Sequence, residues 1–448
     1  MKNVALYNLG CKVNSYETDG MRQMLEEKGY RIVPFDRQAD IYIVNTCTVT
    51  NTADRKSRQI LHRAKQLNPD AVVVAVGCYV QTGREAVEKD ESIDLAIGNN
   101  HKKDIVEILE TFLADRQDKT LQGRTVPEIG NIREYEEMQL RRTSEHTRAY
   151  IKVQDGCNQF CSYCAIPYAR GRVRSRRAED VLREVRGMTE AGYREVVLTG
   201  IHLSSYGIDF ESDAGYNGSS CLLDLTEKLH EIPGVERIRL GSLEPRIITS
   251  ETAERMAAMP KLCPHFHLSL QSGCDNTLKR MNRHYTAGEY YNSVEILRRY
   301  FANPAVTTDV ITGFPGETEE EFRQTREFLE KVCFYEIHVF KYSRRAGTAA
   351  AIMPNQVPEQ VKVSRSKELL ELTARQSVQF RSGYIGRDAE VLLEEEREID
   401  GRVYLVGHTK DYVKAAVDIT EKTSSALPVL NTVVKIPVKK FLTDEILV

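Results

Sequence analysis

The sequence predicts an α/β protein with a small all-β domain at its C-terminal end, and three patterns support this. Residues 1–113 alternate short apolar runs with amphipathic stretches, which is typical of a doubly wound parallel sheet. Residues 148–376 repeat that alternation in six strand–helix units, which predicts a partial (β/α)6 barrel. Residues 377–448 hold short strand-like runs without helical stretches, which favours a small antiparallel barrel of the OB type.

Individual strands are predicted from apolar runs of four to eight residues. In the N-terminal domain they are VALYNLG, IYIVNT and AVVVAVG. In the barrel they are AYIKVQ, EVVLTG, RIRLGS, HFHLSL, VTTDVI and IHVFKY, and in the C-terminal domain AEVLLEEE, VYLVGHT, YVKAAVDI and TVVKIPVKKFL. Residues 114–147 are polar and charged, which predicts an inter-domain linker with one short hairpin, and residues 358–382 predict one long helix.

Composition excludes several classes of protein. The 448 residues are 41% hydrophobic and 28% charged, with a formal net charge of −3, which is ordinary for a globular protein and does not announce nucleic-acid binding. No run approaches the roughly 20 apolar residues that span a bilayer, and the first residues do not read as a signal sequence. We therefore expect a cytoplasmic protein with no membrane partner, in which the ten cysteines are thiols or metal ligands.

The stretch GCNQFCSYC places Cys157, Cys161 and Cys164 in a CxxxCxxC pattern just after the first barrel strand. The next cysteine lies far downstream, so a four-ligand structural zinc site is not completed locally. Three thiolates and a vacant corner suit a [4Fe–4S] cluster with one open iron, which S-adenosylmethionine can chelate. A chance trio or an incomplete zinc site is the alternative.

A second trio appears when strand ends are compared. Cys11, Cys47 and Cys78 each follow one of the three N-terminal strands. Because the carboxyl ends of parallel strands meet at one crevice, we expect these thiols to converge and to hold a second cluster. The alternative is that they are buried packing residues, as we predict for Cys333 on an apolar helix face.

The segments LGCKVNSYET, NTCTVT, VGCYVQ and GCNQFCSYCAIPYARGRVRSR together resemble the methylthiotransferases, a family of radical S-adenosylmethionine enzymes. The resemblance covers nearly the whole chain, including a C-terminal part that is similar to a TRAM domain. Within the family, LGCKVN and LTGIHLSSYG are most similar to the branch that acts on N6-threonylcarbamoyladenosine at position 37 of tRNA. The branches that modify isopentenyladenosine in tRNA or a ribosomal protein remain alternatives. A non-catalytic iron–sulfur RNA-binding protein is a further one, and the open cluster corners argue against it.

The resemblance implies two [4Fe–4S] clusters and S-adenosylmethionine as cofactors. The cluster on Cys157, Cys161 and Cys164 would cleave S-adenosylmethionine to a 5′-deoxyadenosyl radical that removes the hydrogen at C2 of the adenine. The auxiliary cluster on the N-terminal trio would carry the sulfur, and a second S-adenosylmethionine would supply the methyl group. The implied partners are a tRNA anticodon stem-loop and an electron donor such as flavodoxin or ferredoxin. The oligomeric state is not indicated.

Further ligand contacts are expected at the carboxyl ends of the barrel strands, where this architecture places its chemistry. The predicted cofactor-binding residues are Tyr163, Thr199, Gly200, Ser242, Glu244, Gln271, Thr312 and Gly313. Ordinary strand-end turns are the alternative for all of them except Tyr163, which lies within the cysteine motif.

Basic residues predict RNA contacts at two places, the arginine run after the cysteine motif and the last predicted strand. They are Arg170, Arg172, Arg174, Arg176, Arg177, Lys439 and Lys440. A solvated charge run is the alternative for the arginines. The histidines at 265, 267, 284 and 338 are predicted to be structural or solvent-exposed, not metal ligands.

Overall fold

The N-terminal part of the chain forms a six-stranded parallel sheet in the computed structural model, which describes residues 2–115, 123–143, 147–210, 218–420 and 428–448. Its strands are β1 (Asn3–Asn8), β2 (Arg31–Ile32), β3 (Ile41–Thr46), β4 (Val72–Gly77), β5 (Leu95–Ile97) and β6 (Gly123–Thr125). Its helices are α1 (Lys12–Glu27), α2 (Asn51–Leu67), α3 (Cys78–Thr82), α4 (Arg84–Glu88) and α5 (Ile105–Asp115).

The strand order β2-β1-β3-β4-β5-β6 is doubly wound, as predicted. Every residue of β3 and β4 is buried, which explains why these strands read as continuous apolar runs and not as alternating ones. The hairpin predicted in the linker is wrong for the residues described there, because β6 pairs in parallel with β5 and extends the sheet.

The middle of the chain forms six parallel strands that follow one another in space in the order of the sequence. Two short strands, β8 and β9, form a separate antiparallel pair. The strands are β7 (Arg148–Lys152), β8 (Gln154–Asp155), β9 (Arg174–Ser175), β10 (Glu195–Thr199), β11 (Arg237–Leu240), β12 (His265–His267), β13 (Ala305–Thr312) and β14 (Glu336–Lys341). The helices are α6 (Ile166–Arg170), α7 (Ala178–Glu190), α8 (Gly218–His230), α9 (Ser250–Ala257), α10 (Asp275–Arg280), α11 (Ala287–Tyr300), α12 (Glu319–Val332) and α13 (Glu359–Ser382).

These six strands confirm the predicted partial barrel. Strands β7, β10 and β11 form one parallel sheet and β12, β13 and β14 form another, and isolated parallel bridges such as Leu243 to Leu268 join the two. Ile238, Phe266 and Val310 belong to the core that packs against the helices. Because side chains alternate along a strand, their neighbours Arg239 and His267, and the other residues in alternate register, face the barrel interior, here called the lumen.

The C-terminal part forms a five-stranded sheet with the order β18-β15-β16-β17-β19. Its strands are β15 (Asp388–Ile399), β16 (Arg402–Thr409), β17 (Lys414–Asp418), β18 (Val433–Pro437) and β19 (Ile446–Leu447). All pairs are antiparallel except that of β17 with β19. An antiparallel bridge from Phe441 to Leu447 joins β19 to the chain that follows β18, which closes the sheet on itself. The sequence did not predict β19.

The C-terminal sheet covers the end of the barrel where the parallel strands begin. Arg237 donates to the carbonyl oxygen of His408 at 2.9 Å, and Arg239 donates to that of Lys410 at 2.9 Å. Arg148, at the start of β7, pairs with Glu394 at 2.9 Å. Buried cations of one sheet are therefore satisfied by the backbone and acids of the other.

The domain boundaries at residues 113, 147 and 376 stay predictions, and α13 continues across the last of them. Among the described residues, no helix has the length and apolar composition that crossing a membrane requires.

Candidate functional site

The loop that carries Cys157, Cys161 and Cys164 is held closed at its base. The backbone N–H of Cys157 donates to the carbonyl oxygen of Gly171 at 3.0 Å, directly beside the pairing of β8 with β9. Gly156 has a φ of +71°, and a Cβ at this position would lie 1.8 Å from the carbonyl oxygen of Arg172. Only glycine fits this conformation and this approach, so the sequence GC at the start of the motif has a structural reason.

Each thiol of this trio faces one N–H donor. The backbone N–H groups of Gln159 and Ile166 lie 3.5 Å from the sulfurs of Cys157 and Cys164. Burial raises the pKa of Cys157 to about 11 and that of Cys164 to about 12, and these backbone hydrogen bonds lower it in part. Donors aimed at sulfur favour thiolates, the form that binds iron.

Arg283 is the donor to the third thiol, and sequence reasoning missed it. Its Nη1 lies 3.1 Å from the sulfur of Cys161, and its Nη2 lies 3.2 Å from Oε1 of Glu244. Burial acts to raise the pKa of Glu244, but the neighbouring imidazole of His202, with Nε2 at 3.6 Å, and the charge of Arg283 lower it overall. Arg283 follows α10 and not a barrel strand, so the strand-end rule did not point to it.

The structure brings the predicted cofactor-binding residues to the end of the barrel that carries the cysteine loop. The ring of Tyr163 packs against that of Phe314, with centroids 6.4 Å apart. Thr199 and Gly200 end β10, and Ser242 accepts or donates a 3.0 Å hydrogen bond with Ser269. Their contact with a cofactor stays a prediction.

The remaining strand-end residues have local structural roles. Gln271 has a φ of +72° and forms an isolated parallel bridge with Val310 of β13, beyond the end of β12. Thr312 ends β13, and the backbone N–H of Gly313 donates to Glu317 at 2.6 Å. These roles agree with turn chemistry, and the contact of these three residues with a cofactor stays a prediction.

The second trio lies at the carboxyl ends of β1, β3 and β4. Cys11 follows β1, Cys47 follows β3 and Cys78 begins α3 after β4. A Cβ on Gly10 would lie 3.3 Å from the sulfur of Cys47, so the first two loops touch. Burial, together with the nearby charges of Cys78 and Cys11, raises the pKa of Cys47 to about 11. The structure thus gathers the three thiols at the crevice between β1 and β3, where the connection direction of the sheet reverses.

These three thiols also face N–H donors. Asn99 Nδ2 lies 3.6 Å from the sulfur of Cys78. Backbone hydrogen bonds from Asn14 and Val49 act to lower the pKa of Cys11 and Cys47, against the larger effect of burial. The six cysteines therefore have similar environments. Each is a free thiol with an N–H donor and two other cysteines nearby.

The thiols of each trio are spaced more widely than the ligands of a single ion. In the described part of the chain, one group of three or more ligand residues has all its ligand atoms within 4.8 Å of one another, namely His267, Asp309 and His338. Neither cysteine trio meets that condition. A multi-iron cluster spreads its thiolates more widely than one ion does, so the donor set, its spacing and its N–H donors fit iron–sulfur clusters.

A buried charge network joins the two trios. Glu17 of α1 accepts hydrogen bonds from Lys152 at 2.8 Å and from Arg170 at 2.8 Å, and it pairs with Lys102. Arg170 also donates to Asn14 at 2.6 Å, the residue beside Cys11, and to Asp155 at 3.1 Å, which lies two residues before Cys157. The N-terminal sheet and the barrel are therefore fixed to each other by paired charges between the two candidate metal centres.

This network corrects the prediction that the whole arginine run contacts RNA. The side chains of Arg170, Arg174 and Arg176 are 0–1% exposed, and they pair with acids or backbone carbonyls inside the protein. They have no surface to offer a phosphate. Arg172 and Arg177 are exposed, as are Lys439 and Lys440. RNA contact by these four residues stays a prediction.

The prediction that Cys333 is a core residue is wrong. It ends α12 with a φ of +55° and is exposed, whereas Cys221, Cys263 and Cys274 are buried. Two of the four histidines, His267 and His338, lie beside Asp309 on the lumen side of the barrel, where the His267 Nε2 atom is 3.3 Å from Asp309 Oδ2.

A partial barrel with a three-cysteine loop at its carboxyl end defines the class of protein. Residues 151–329 match the Radical SAM superfamily, and residues 3–98 match a second family described as Uncharacterized protein family UPF0004. A solved structure of the radical S-adenosylmethionine methyltransferase TsrM from Kitasatospora setae, with cobalamin and a [4Fe–4S] cluster, has a similar fold. The TM-score is 0.59 at 18% identity, over 79% of this chain and 77% of that one. The protein is a radical S-adenosylmethionine enzyme.

Comparison with curated relatives identifies the family within this superfamily. The chain is 40% identical over 422 residues to the threonylcarbamoyladenosine tRNA methylthiotransferase MtaB of Bacillus subtilis, covering 94% of this chain and 91% of that protein. It is 35% identical over 420 residues to the tRNA-2-methylthio-N(6)-dimethylallyladenosine synthase of Carboxydothermus hydrogenoformans, covering 91% of each. The chain belongs to the methylthiotransferase family, whose cofactors are S-adenosylmethionine and two [4Fe–4S] clusters.

Proposed function

We propose that this enzyme methylthiolates C2 of N6-threonylcarbamoyladenosine at position 37 of tRNA, giving 2-methylthio-N6-threonylcarbamoyladenosine. Four relatives that carry the threonylcarbamoyladenosine name are 36–40% identical to this chain and are matched over 87–94% of their length. The observation that carries the reaction type is the pair of cysteine trios fixed to each other by one buried network.

The six cysteines are proposed to hold the two clusters, Cys157, Cys161 and Cys164 the one that binds S-adenosylmethionine and the N-terminal trio the auxiliary one. When bound, these groups supply a hydrogen-abstracting radical and a sulfur donor. Arg283 donates to the sulfur of Cys161 and is held in turn by Glu244. The role of this chain is to fix that geometry before substrate arrives.

The N-terminal sheet also closes the open side of the partial barrel. On one edge, Glu17 of α1 binds Lys152 at the end of β7. On the other, Arg345, which follows β14, donates to Thr48 at 2.6 Å and to Asp54 at 2.6 Å. The barrel gap is therefore spanned by an element carrying the second trio, which would limit access of water and stray hydrogen donors to a radical formed inside.

The experiment is in-vitro modification of a synthetic anticodon stem-loop that contains N6-threonylcarbamoyladenosine. The anaerobically reconstituted enzyme, with S-adenosylmethionine and a reductant, should yield the 2-methylthio nucleoside by mass spectrometry of the digested RNA. A stem-loop with dimethylallyladenosine and a ribosomal-protein preparation serve as competing substrates. Product on either of these and none on the first RNA would defeat the proposed substrate. In the cell, where we place the enzyme in the cytoplasm, flavodoxin or ferredoxin is the expected electron donor.

We further propose that the exposed basic residues Arg172, Arg177, Lys439 and Lys440 contact tRNA phosphates. Replacing Lys439 and Lys440 together by glutamine should weaken stem-loop binding and reduce the salt dependence, with the slope of log K against log salt falling by about 2. Binding is measured by fluorescence anisotropy over a salt series. Lys435→Gln is the control, because Lys435 is exposed on β18 and already paired with Asp388 at 3.1 Å. An unchanged slope in the double variant would remove the C-terminal lysines from the interface.

A further inference from the structure

Lys12 is a cation at the lumen that forms no salt bridge with any described residue. It begins α1, directly after Cys11, and is exposed to solvent. Its Nζ lies 6.0 Å from the centroid of the Tyr150 ring on β7, a residue in the lumen-facing register. Within the described residues, no carboxylate oxygen lies within 4.0 Å of this Nζ, since every salt bridge found there involves another cation.

Neighbouring lumen cations are all satisfied by the protein. Arg239 pairs with Glu195 at 2.8 Å, Arg148 with Glu394 at 2.9 Å and Lys152 with Asp155 at 2.7 Å. Burying such charges is tolerated because each has an acid or carbonyl partner. Lys12 differs from them in having both solvent access and, among the described residues, no acid within 4.0 Å, so an anion from outside the chain can reach it.

One wall of the lumen is polar. His267, Asp309 and His338 lie on β12, β13 and β14 with their ligand atoms within 4.8 Å of one another. Burial, followed by the charges of Arg239, His267, Lys12 and His338, lowers the pKa of His265, so Lys12 lies within electrostatic range of this wall. A small polar group near this wall would find donors and acceptors on the wall residues and a cation in Lys12.

The proposed substrate offers the matching charge. A threonylcarbamoyl group carries one carboxylate at neutral pH, together with a hydroxyl and urea N–H groups, whereas a dimethylallyl group is uncharged and apolar. Because Lys12 adjoins Cys11, a carboxylate bound to it would lie on the side of the N-terminal trio. We propose that Lys12 binds the carboxylate of the threonylcarbamoyl group and thereby selects this substrate over adenosines with a neutral N6 substituent. This inference rests on the proposed function.

The test compares two synthetic anticodon stem-loops that differ only in that carboxylate. One contains N6-threonylcarbamoyladenosine and the other its primary amide, which is nearly isosteric and neutral. For the reconstituted wild-type enzyme, the amide should bind at least about tenfold more weakly, because a charge-assisted hydrogen bond is lost. In Lys12→Met the acid and the amide should bind within about twofold of each other. Lys12→Arg should restore preference for the acid.

Lys56→Met is the matched control. Lys56 is exposed on α2 of the same sheet, and its loss should leave the ratio of acid to amide binding at the wild-type value. Iron content is measured on every variant, and Lys12→Gln replaces Lys12→Met should the latter lose iron. The wild-type comparison needs no variant at all, so equal binding of acid and amide by the wild type would overturn the assignment directly.

Failure of this inference is distinguishable from failure of the proposed function. Suppose that the wild-type enzyme methylthiolates the acid RNA and that the Lys12→Met variant keeps the wild-type ratio of acid to amide binding. This outcome refutes the role of Lys12 alone. A wild-type enzyme that modifies only dimethylallyladenosine RNA refutes the proposed substrate, and the Lys12 assignment with it.

Discussion

Replacing Cys47 by alanine should remove about half of the iron and abolish methylthio transfer, while S-adenosylmethionine cleavage continues. The reason is that the two trios occupy separate elements. All three donors to the Cys157 trio come from the barrel, namely Gln159, Ile166 and Arg283. The measurements are iron and labile-sulfide content, 5′-deoxyadenosine formation, and mass spectrometry of the modified nucleoside.

Cys333→Ala is the control for this experiment, because Cys333 is exposed and remote from both trios in the chain. It should retain the iron content and both activities of the wild type. Full iron content in Cys47→Ala would show that the three strand ends do not share a cluster. Loss of all iron would show that the two centres do not assemble independently.

Replacing Arg170 by methionine should destabilise the junction between the N-terminal sheet and the barrel by about 3–5 kcal/mol, the usual cost of removing one partner from a buried ion pair. Arg170 binds Glu17 at 2.8 Å, Asp155 at 3.1 Å and Asn14 at 2.6 Å, and none of these groups can reach water. The charges of Arg170, Lys102 and Lys152 hold the pKa of Glu17 well below its usual range against the effect of burial, so the loss of Arg170 removes the largest of the charges that stabilise this buried carboxylate.

The change is measured as the shift of the denaturant midpoint followed by tyrosine fluorescence, with iron content as a second readout. Arg172→Met is the matched control, since Arg172 lies two residues further on and is exposed. It should shift the midpoint by less than about 0.5 kcal/mol in equivalent stability. Similar midpoints for the two variants would mean that the network does not hold the junction.

The arginine run shows what sequence reasoning can and cannot supply. The run RGRVRSRR is visibly basic and adjoins the cysteine motif, which predicts an RNA surface. Three of its arginines are instead buried against Glu17, Asp155 and Glu184, and Glu17 lies 153 residues from Arg170 in the sequence. A charge is exposed or buried according to partners that only the tertiary fold brings close.

The cysteines were predictable for a general reason. Strands β3 and β4 are buried on both faces, so their apolar runs were easy to recognise, and parallel strands bring their carboxyl ends to one edge. Cys11, Cys47 and Cys78 could therefore be grouped without any local motif. Arg283 could not, because it lies after a short helix and reaches Cys161 by a tertiary contact. Strand β19, with two residues, has too little pattern to recognise.

The C-terminal barrel is more than a detachable module. Its backbone carbonyl oxygens accept hydrogen bonds from Arg237 and Arg239, at the end of the catalytic barrel where the parallel strands begin, at 2.9 Å in each case. Removal of this domain would expose both guanidinium groups to water and take away these acceptors, so the catalytic barrel would be altered together with any RNA binding by the C-terminal lysines. Substitution of Lys439 and Lys440 tests RNA binding alone, whereas truncation of the domain removes RNA binding and the support of the barrel together.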